Sequence, residues 1–227
     1  MLLVIGLVLV AVLILGPQWW VQQVLARHNR EPEDNFPGSG GELARHLLDR
    51  FELRDVAVER TEQGDHYDPD ARAVRLTPDK FEGRTLTAIT VAAHEVGHAL
   101  QDAAAEPMFR WRTRLARVAV MAQRLGSFLL FAAPMLTLAT RLPSPGLVAA
   151  IGAFLIMGLG LVVQLATLPV ELDASFRKAL PLLRTGYLAD HQVPKARRIL
   201  RAAAWTYVAA SLAGLLNFWR WLRVLRR

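Results

Sequence analysis

Hydrophobic residues in this 227-residue chain are concentrated in blocks rather than spread evenly between polar positions. The blocks cover residues 1–26, 118–140, 147–168 and 202–221. Each is close to the ~20 residues that a helix needs to cross the hydrocarbon core of a bilayer. The pattern therefore predicts a mainly α, multi-span helical membrane protein. The last block is predicted to be either a span or a membrane-associated helix.

Residues 27–117 form the one long polar region, in which apolar residues recur at structured spacing. Residues 41–51 place their leucines and a phenylalanine on one helical face. Residues 56–58 and 73–76 resemble short strands, and the turn-rich stretch 64–70 between them predicts a hairpin. We therefore expect a small α+β domain between the first and second apolar blocks.

Lysine and arginine give the chain a net charge of +7, and they lie mostly between the apolar blocks. They are frequent in residues 27–117 and 169–201, whereas the turn between the second and third blocks carries Arg141 alone. This distribution predicts that both polar regions face the cytoplasm of a bacterial inner membrane, with the bilayer as a partner. No basic patch interleaved with aromatic residues occurs, so nucleic acid is not an expected partner.

The first block raises the alternative of a cleaved signal peptide. It has neither a basic start nor a small-residue cleavage site before Arg27, so an uncleaved anchor is favoured. Cysteine is absent, so a metal site in this chain must use histidine and carboxylate ligands.

The strongest chemical signal is the sequence from His94 to His98, which reads His-Glu-Val-Gly-His. Thr85 is a suitable helix cap and Pro107 a suitable stop, so the motif is predicted to lie on a helix. At this spacing both imidazoles project from one helical face and can bind one zinc ion. Glu95 points about 100° round the helix, where it can take a proton from the attacking water and deliver it to the leaving amine.

A catalytic zinc site uses three protein ligands, so two histidines leave it one short. The candidates for the third ligand are His66, His191, Asp173 and Glu171. Glu171 follows the third apolar block directly and is predicted to emerge on the same side as the motif. From position alone, the choice between these four residues stays open.

The sequence resembles the YugP-type neutral zinc metallopeptidase family of bacterial membranes over nearly its whole length. The segments that carry the resemblance are residues 64–69, 91–101, 168–175 and 206–210. The layout is more distantly similar to HtpX-type membrane proteases, which place H-E-x-x-H before a transmembrane hairpin and Glu-x-x-Ala-Asp after it. The resemblance implies one Zn²⁺ per chain, with His94, His98 and Glu171 as ligands and Glu95 as general base.

At one position the chain departs from the HtpX-type pattern, because Ser175 stands where those proteins have aspartate. The hydrogen bond that orients a ligating histidine must then come from Asp173 or Ser175 in a different geometry. His66 is a further candidate for a supporting role. For stabilising the tetrahedral oxyanion, the candidates are Arg177, Tyr187, His191 and Tyr207.

The predicted domains are an anchor helix, a zincin-like catalytic domain, a transmembrane hairpin, a polar helical region with the third ligand, and a C-terminal apolar helix with a basic tail. Their bounds are 1–26, 27–117, 118–168, 169–201 and 202–227. The predicted function is a zinc-dependent endopeptidase, with peptides or membrane proteins as substrates. The alternatives are a catalytically silent membrane scaffold or adaptor with a zincin fold, and a metal transporter or sensor. An intact Glu95 argues against the scaffold, and a transporter would need ionisable residues deep in the spans, where Arg124 stands alone.

Overall fold

The structure is a computed structural model that describes residues 36–205, together with Gly16 and residues 19–24, 26 and 27. The predicted anchor helix lies mostly outside the described residues, although its described positions are helical. The fourth apolar block lies outside them beyond residue 205, as does Tyr207.

The described part of the chain is mainly helical and contains a small three-stranded sheet. Its elements in chain order are α1 (Gly40–Arg50), β1 (Ala57–Arg60), β2 (His66–Asp68), β3 (Ala73–Leu76), α2 (Pro78–Phe81), α3 (Leu86–Ala103), α4 (Pro107–Thr140), α5 (Pro143–Asp173), a π-helix (Ala174–Ala179) and α6 (Leu180–Arg184). Residues 193–205 are also helical.

The expectation of a multi-span membrane protein is corrected by these helices. A span requires ~20 consecutive, predominantly apolar residues, since it must match the thickness of the hydrocarbon core. Among the described residues, no helix is both long and apolar enough to cross a membrane.

The chain divides into two compact units. Among the described residues, those up to Arg110 and those from Pro169 onward form the first unit, and Trp111–Leu168 forms the second. In the second unit, α4 and α5 approach closely at Gly126, where an added Cβ would lie 2.9 Å from Cγ2 of Ile156. In the first unit, helix α3 carries the His-Glu-Val-Gly-His motif and packs against the helices and the sheet around it.

Helix α1 begins where the sequence supplies a strong start signal. The Ser39 hydroxyl accepts a bond from the Glu42 backbone N–H at 3.2 Å, and the Glu42 carboxylate accepts one from the Ser39 N–H at 2.7 Å. This reciprocal capping satisfies two backbone donors that a helix leaves unpaired at its start. Leu47 and Leu48 then lie fully buried on the face of α1 that joins the core.

The sheet has the strand order β1-β3-β2. β1 pairs with β3 in parallel, with Ala57 opposite Ala73, and β2 pairs with β3 antiparallel, with Tyr67 opposite Val74. The predicted hairpin between residues 56–58 and 73–76 is therefore wrong. The connection between them contains a strand of its own, β2, and this strand lets the chain return so that β1 and β3 run in the same direction.

Helix α3 is buried on nearly all sides, which explains why its sequence is apolar or small around most of its circumference. It contacts α1, the sheet, α2, the π-helix and α6. The core of the first unit forms around it, with Leu76, Leu86 and Val96 fully buried. The packing of α3 against these elements therefore fixes the positions of its polar side chains.

Candidate metal centre

Helix α3 presents both motif histidines from one face. Its first turn is capped by the Thr85 hydroxyl, which accepts a bond from the Ala88 N–H at 3.2 Å. His94 and His98 are one turn apart and buried, with their ring centroids separated by 4.7 Å. The four-residue spacing places the two imidazoles together, as a helix requires.

Gly97 allows a second segment of the chain to approach these histidines. A Cβ at this position would lie only 2.9 Å from the backbone oxygen of Ala174, in the π-helix. No side chain larger than hydrogen fits this contact without a shift of the backbone. The glycine between the histidines therefore brings the segment that begins at Glu171 against α3.

Glu171 lies near the end of α5 and is 2% exposed. Its Oε2 atom is 3.1 Å from Nε2 of His94 and 3.3 Å from Nε2 of His98. One ligand atom from each of these three buried residues lies within 4.8 Å of the others. The structure thus brings together the three residues that the resemblance implied.

The charge of Glu171 is stabilised by the same two neighbours. Burial by itself would raise its pKa, but attraction to His98 and hydrogen bonds with His94 and His98 outweigh this effect. The pKa of Glu171 therefore lies well below its usual value, and the residue is a carboxylate at neutral pH. An ionised carboxylate is the form that binds a metal.

The donor set fits zinc. Zinc binds imidazole nitrogen and carboxylate oxygen at about 2.0–2.2 Å, so two ligand atoms of a tetrahedral site lie roughly 3.4 Å apart. The distances from Glu171 Oε2 to the two Nε2 atoms are close to this value. Three protein ligands also leave the fourth position that catalytic zinc sites keep for water or substrate.

Both histidines are also bonded through their other ring nitrogen. Nδ1 of His94 lies 3.1 Å from the Ser175 hydroxyl, and Nδ1 of His98 lies 2.9 Å from Oε1 of Gln101. In each ring, this arrangement leaves Nε2 to face Glu171. Partners of this kind orient ligating histidines in metal sites.

Gln101 is the residue that the sequence did not reveal. It lies one turn after His98, within the segment that carries the family resemblance, but glutamine has no chemistry of its own that singles it out. A signal existed in its spacing, since a polar residue three positions after a histidine shares its helical face. The side chain is 1% exposed and makes three hydrogen bonds.

Asp173 does not contact a histidine directly. Its Oδ2 atom accepts bonds from the Gln101 amide at 2.9 Å and from the Lys178 ammonium at 2.7 Å. Burial would raise the pKa of Asp173, but the bonds from Lys178 and Gln101 lower it further than burial raises it. Asp173 therefore supports His98 through an intermediate side chain.

The remaining candidates lie elsewhere or outside the described residues. Nδ1 of His66 lies 2.8 Å from the Gly64 carbonyl oxygen, and this residue is not part of the metal-binding cluster. Arg177 has a side chain that is 84% exposed and pairs with Asp173 at 3.7 Å. Tyr187 contacts the ring of His46, and His191 is exposed in a turn. The roles suggested for Arg177, His66 and Tyr207 stay predictions.

Glu95 is buried and lies on the turn of α3 that carries His94. Its position in sequence places it next to the first histidine but on a different side of the helix. Its role as general base stays a prediction.

A small, mainly helical unit with two histidines on one helix and a converging glutamate is the form of a zinc-dependent peptidase. Residues 3–226 match the family described as "Putative neutral zinc metallopeptidase", and this chain belongs to that family. It is also similar to "Putative membrane protease YugP" of Bacillus subtilis (strain 168), with 34% identity over 223 residues that cover 92% of each chain. The YugP-type resemblance is thereby confirmed. No solved structure matches the chain.

Proposed function

We propose that this chain is a zinc-dependent endopeptidase that hydrolyses peptide bonds. His94, His98 and Glu171 would hold one Zn²⁺ per chain, and Glu95 would act as general base. The observation that carries the proposal is the convergence of three buried ligand groups, one of which, His94, is followed in the chain by a buried glutamate. Burial of several ionisable side chains costs free energy unless they are hydrogen-bonded, paired or bound to a metal, and such clusters are candidates for functional sites.

The chemistry divides between the ion and the protein. Zinc bound at this site would supply Lewis acidity, since it lowers the pKa of water to about 7 and polarises a carbonyl group. Glu95 accepts the proton of the attacking water and then donates it to the leaving amine. Glu171 supplies a negative charge among the ligands, and the bonds at Nδ1 orient the two imidazoles so that Nε2 of each faces the site.

An endopeptidase must hold an extended chain next to its site, and β2 is suited to this. Among the described residues, β2 pairs with β3 along one edge only. The Tyr67 hydroxyl on β2 donates to Asp102 of α3 at 2.8 Å. The Tyr67 ring lies against Phe109, whose ring centroid is 6.0 Å from that of His98. A peptide added to this edge as a further strand would pass close to the candidate metal centre.

The similarity to a protein named a membrane protease supports a further part of the proposal, namely that the chain acts on proteins at a membrane. The physiological substrates would then be membrane proteins or chains at a membrane surface. Recovery of the expressed protein in the soluble fraction alone would contradict this part.

The test of the peptidase proposal is Glu95→Gln in the full-length chain. This change keeps the size of the side chain but removes its ability to accept a proton. It should leave one zinc per chain and reduce peptide hydrolysis by at least ~100-fold, the low end for loss of a general base. Zinc content is measured by elemental analysis, and hydrolysis with an unfolded protein substrate.

Glu59→Gln is the matched control, because Glu59 is partly exposed on β1 and pairs with Arg75 away from the candidate site. It should keep wild-type activity. Equal activity in Glu95→Gln and wild type would reject Glu95 as the base. Absence of zinc-dependent hydrolysis in the wild type would reject the peptidase and favour the scaffold.

A further inference from the structure

Every polar atom of the Gln101 amide is used in the interior of the first unit. Its NH₂ group donates to the Val170 carbonyl oxygen at 3.0 Å and to Oδ2 of Asp173 at 2.9 Å. Its oxygen lies 2.9 Å from Nδ1 of His98. Only the NH₂ group can donate two bonds, so these two acceptors fix the orientation of the amide.

The fixed amide selects one form of His98. An amide oxygen can accept a hydrogen bond but cannot donate one, so Nδ1 of His98 must carry the proton. The lone pair of a neutral imidazole is then on Nε2. This is the atom that faces Oε2 of Glu171 at 3.3 Å. The amide of Gln101 therefore leaves the correct nitrogen available for a metal.

The orientation of Gln101 is itself held by charge. Asp173 accepts from Lys178, and the Lys178 ammonium also donates to Glu106 at 2.5 Å. Lys178 is only 17% exposed, so this ion-pair cluster is partly shielded from solvent and salt. We call the chain of contacts from Glu106 through Lys178, Asp173 and Gln101 to His98 the glutamine relay.

The relay also joins the two segments that supply the ligands. Val170 and Asp173, which receive the Gln101 amide, lie on either side of Glu171 in sequence. One side chain on α3 therefore contacts both flanks of the third ligand and the second histidine at the same time. A change that removes these bonds disturbs His98 and Glu171 together.

We propose that Gln101 is a positioning residue that holds His98 in the Nδ1–H form and aligns it with Glu171, under the control of the Asp173–Lys178–Glu106 cluster. The proposal rests on the zinc site of the proposed function. A purely structural Gln101, present only to satisfy the buried Val170 carbonyl, would stabilise the fold without affecting the choice of ring nitrogen on His98.

The first experiment measures zinc affinity of the purified full-length chain by competition with a chelator. Gln101→Met keeps the length of the side chain and removes all three hydrogen bonds. Loss of an outer partner of a ligating histidine typically weakens metal binding by about 10–100-fold, and we expect a loss in this range. Gln192→Met is the matched control, since it removes the amide oxygen that accepts from the Ala189 N–H, away from the site.

The second experiment separates the relay from a structural role. Gln101→Glu places a carboxylate against that of Asp173. Repulsion between the two like charges should weaken zinc binding more than Gln101→Met does. Adding Asp173→Asn places an amide donor opposite the new carboxylate at position 101. That carboxylate can still accept the hydrogen bond from Nδ1 of His98. The double variant should bind zinc about tenfold more tightly than Gln101→Glu alone, a non-additive result expected of groups in direct contact.

The outcomes are distinguishable. Wild-type zinc affinity in folded Gln101→Met, or a double variant no better than Gln101→Glu, would overturn the relay and leave the zinc site intact. If Gln101→Met does not fold, the pair of charge variants decides. Zinc binding by the wild type that His98→Ala does not weaken would overturn the proposed function itself.

Discussion

His94 and His98 face the same carboxylate oxygen of Glu171, but they are supported in different ways. Behind His94 is the hydroxyl of Ser175, and behind His98 is the oriented amide of Gln101. A hydroxyl can donate or accept, so it adapts to either form of the imidazole, whereas the Gln101 oxygen can only accept. The ring nitrogen that carries the proton is therefore specified more strongly at His98 than at His94.

The two supports also differ in origin. Ser175 belongs to the segment that carries Glu171, and it reaches His94 in one step. Gln101 belongs to α3, and it depends on Asp173 and Lys178 for its orientation. His94 thus has one direct partner that can donate or accept, whereas His98 has a partner that only accepts and that is itself oriented by further residues. Substitutions can separate their contributions.

Glu171→Ala should have the largest effect because it removes the group on which both sides converge. The site would lose one of three ligands and its negative charge, and zinc affinity should fall by more than the roughly 100-fold upper range for an outer partner. Competition with a chelator measures this. Glu171→Gln, which keeps the volume and a weaker oxygen ligand, should lose less. Stoichiometric, tightly bound zinc in Glu171→Ala would mean that another residue is the third ligand.

Gly97→Ala should have the second largest effect, because it displaces the backbone of the segment that carries Glu171, which faces both His94 and His98. The added Cβ would lie 2.9 Å from the Ala174 oxygen and would push the Glu171 segment away from α3. Overpacking of this kind costs about 1–3 kcal/mol, partly offset because alanine favours helix by about 1 kcal/mol over glycine. Thermal unfolding and zinc affinity should both decrease.

Gly41→Ala provides the control for this variant. Its added Cβ would lie 3.0 Å from the Phe81 backbone oxygen, a contact of nearly the same closeness between α1 and α2. It should lower stability to a similar degree while zinc affinity stays at the wild-type value. If both variants bind zinc equally well, the contact between Gly97 and Ala174 does not position the site.

Ser175→Ala should have a smaller effect, confined to His94. It removes the hydroxyl at Nδ1, but a hydroxyl that adapts to both forms of the ring contributes less to their selection. We expect zinc affinity to fall by about tenfold, the low end for an outer partner. Ser39→Ala is the control, since it removes a helix cap and costs ~1 kcal/mol of stability without touching the site. A loss larger than that of Gln101→Met would reverse the comparison between the two histidines.

The sequence predicted those parts of the site that depend on local geometry. His94 and His98 follow from the period of one helix, since residues four apart share a face. Glu171 is distant in sequence, and spacing alone left it among four candidates until the family resemblance identified it. The role of Gln101 and its hydrogen bond to Asp173 were found only in the structure. Hydrogen bonds between segments far apart in the chain leave no periodic pattern in the sequence.

The fold shows the same limit. The helix 41–51 and the first and last strands in chain order were recognisable from periodicity, and they correspond closely to α1, β1 and β3. Their pairing was not, because a parallel arrangement depends on the path of the intervening chain, where β2 lies. The multi-span expectation came from the apolar blocks alone, and it is overturned because none of the described helices meets the length and apolarity of a span.

Lys178→Met should have the smallest effect and shows how far the support of His98 extends. The lysine touches no ligand, and its loss leaves Asp173 still bonded to Gln101. We expect zinc affinity to fall by only about two- to fivefold, below the range for a direct outer partner. Lys80→Met is a close control, because Lys80 is also 17% exposed and pairs with two aspartates, Asp79 and Asp65, away from the site. Equal zinc affinity in both variants would show that the residues supporting His98 extend no further than Asp173. A loss as large as that of Gln101→Met would show that the charge of Lys178 is essential to this support.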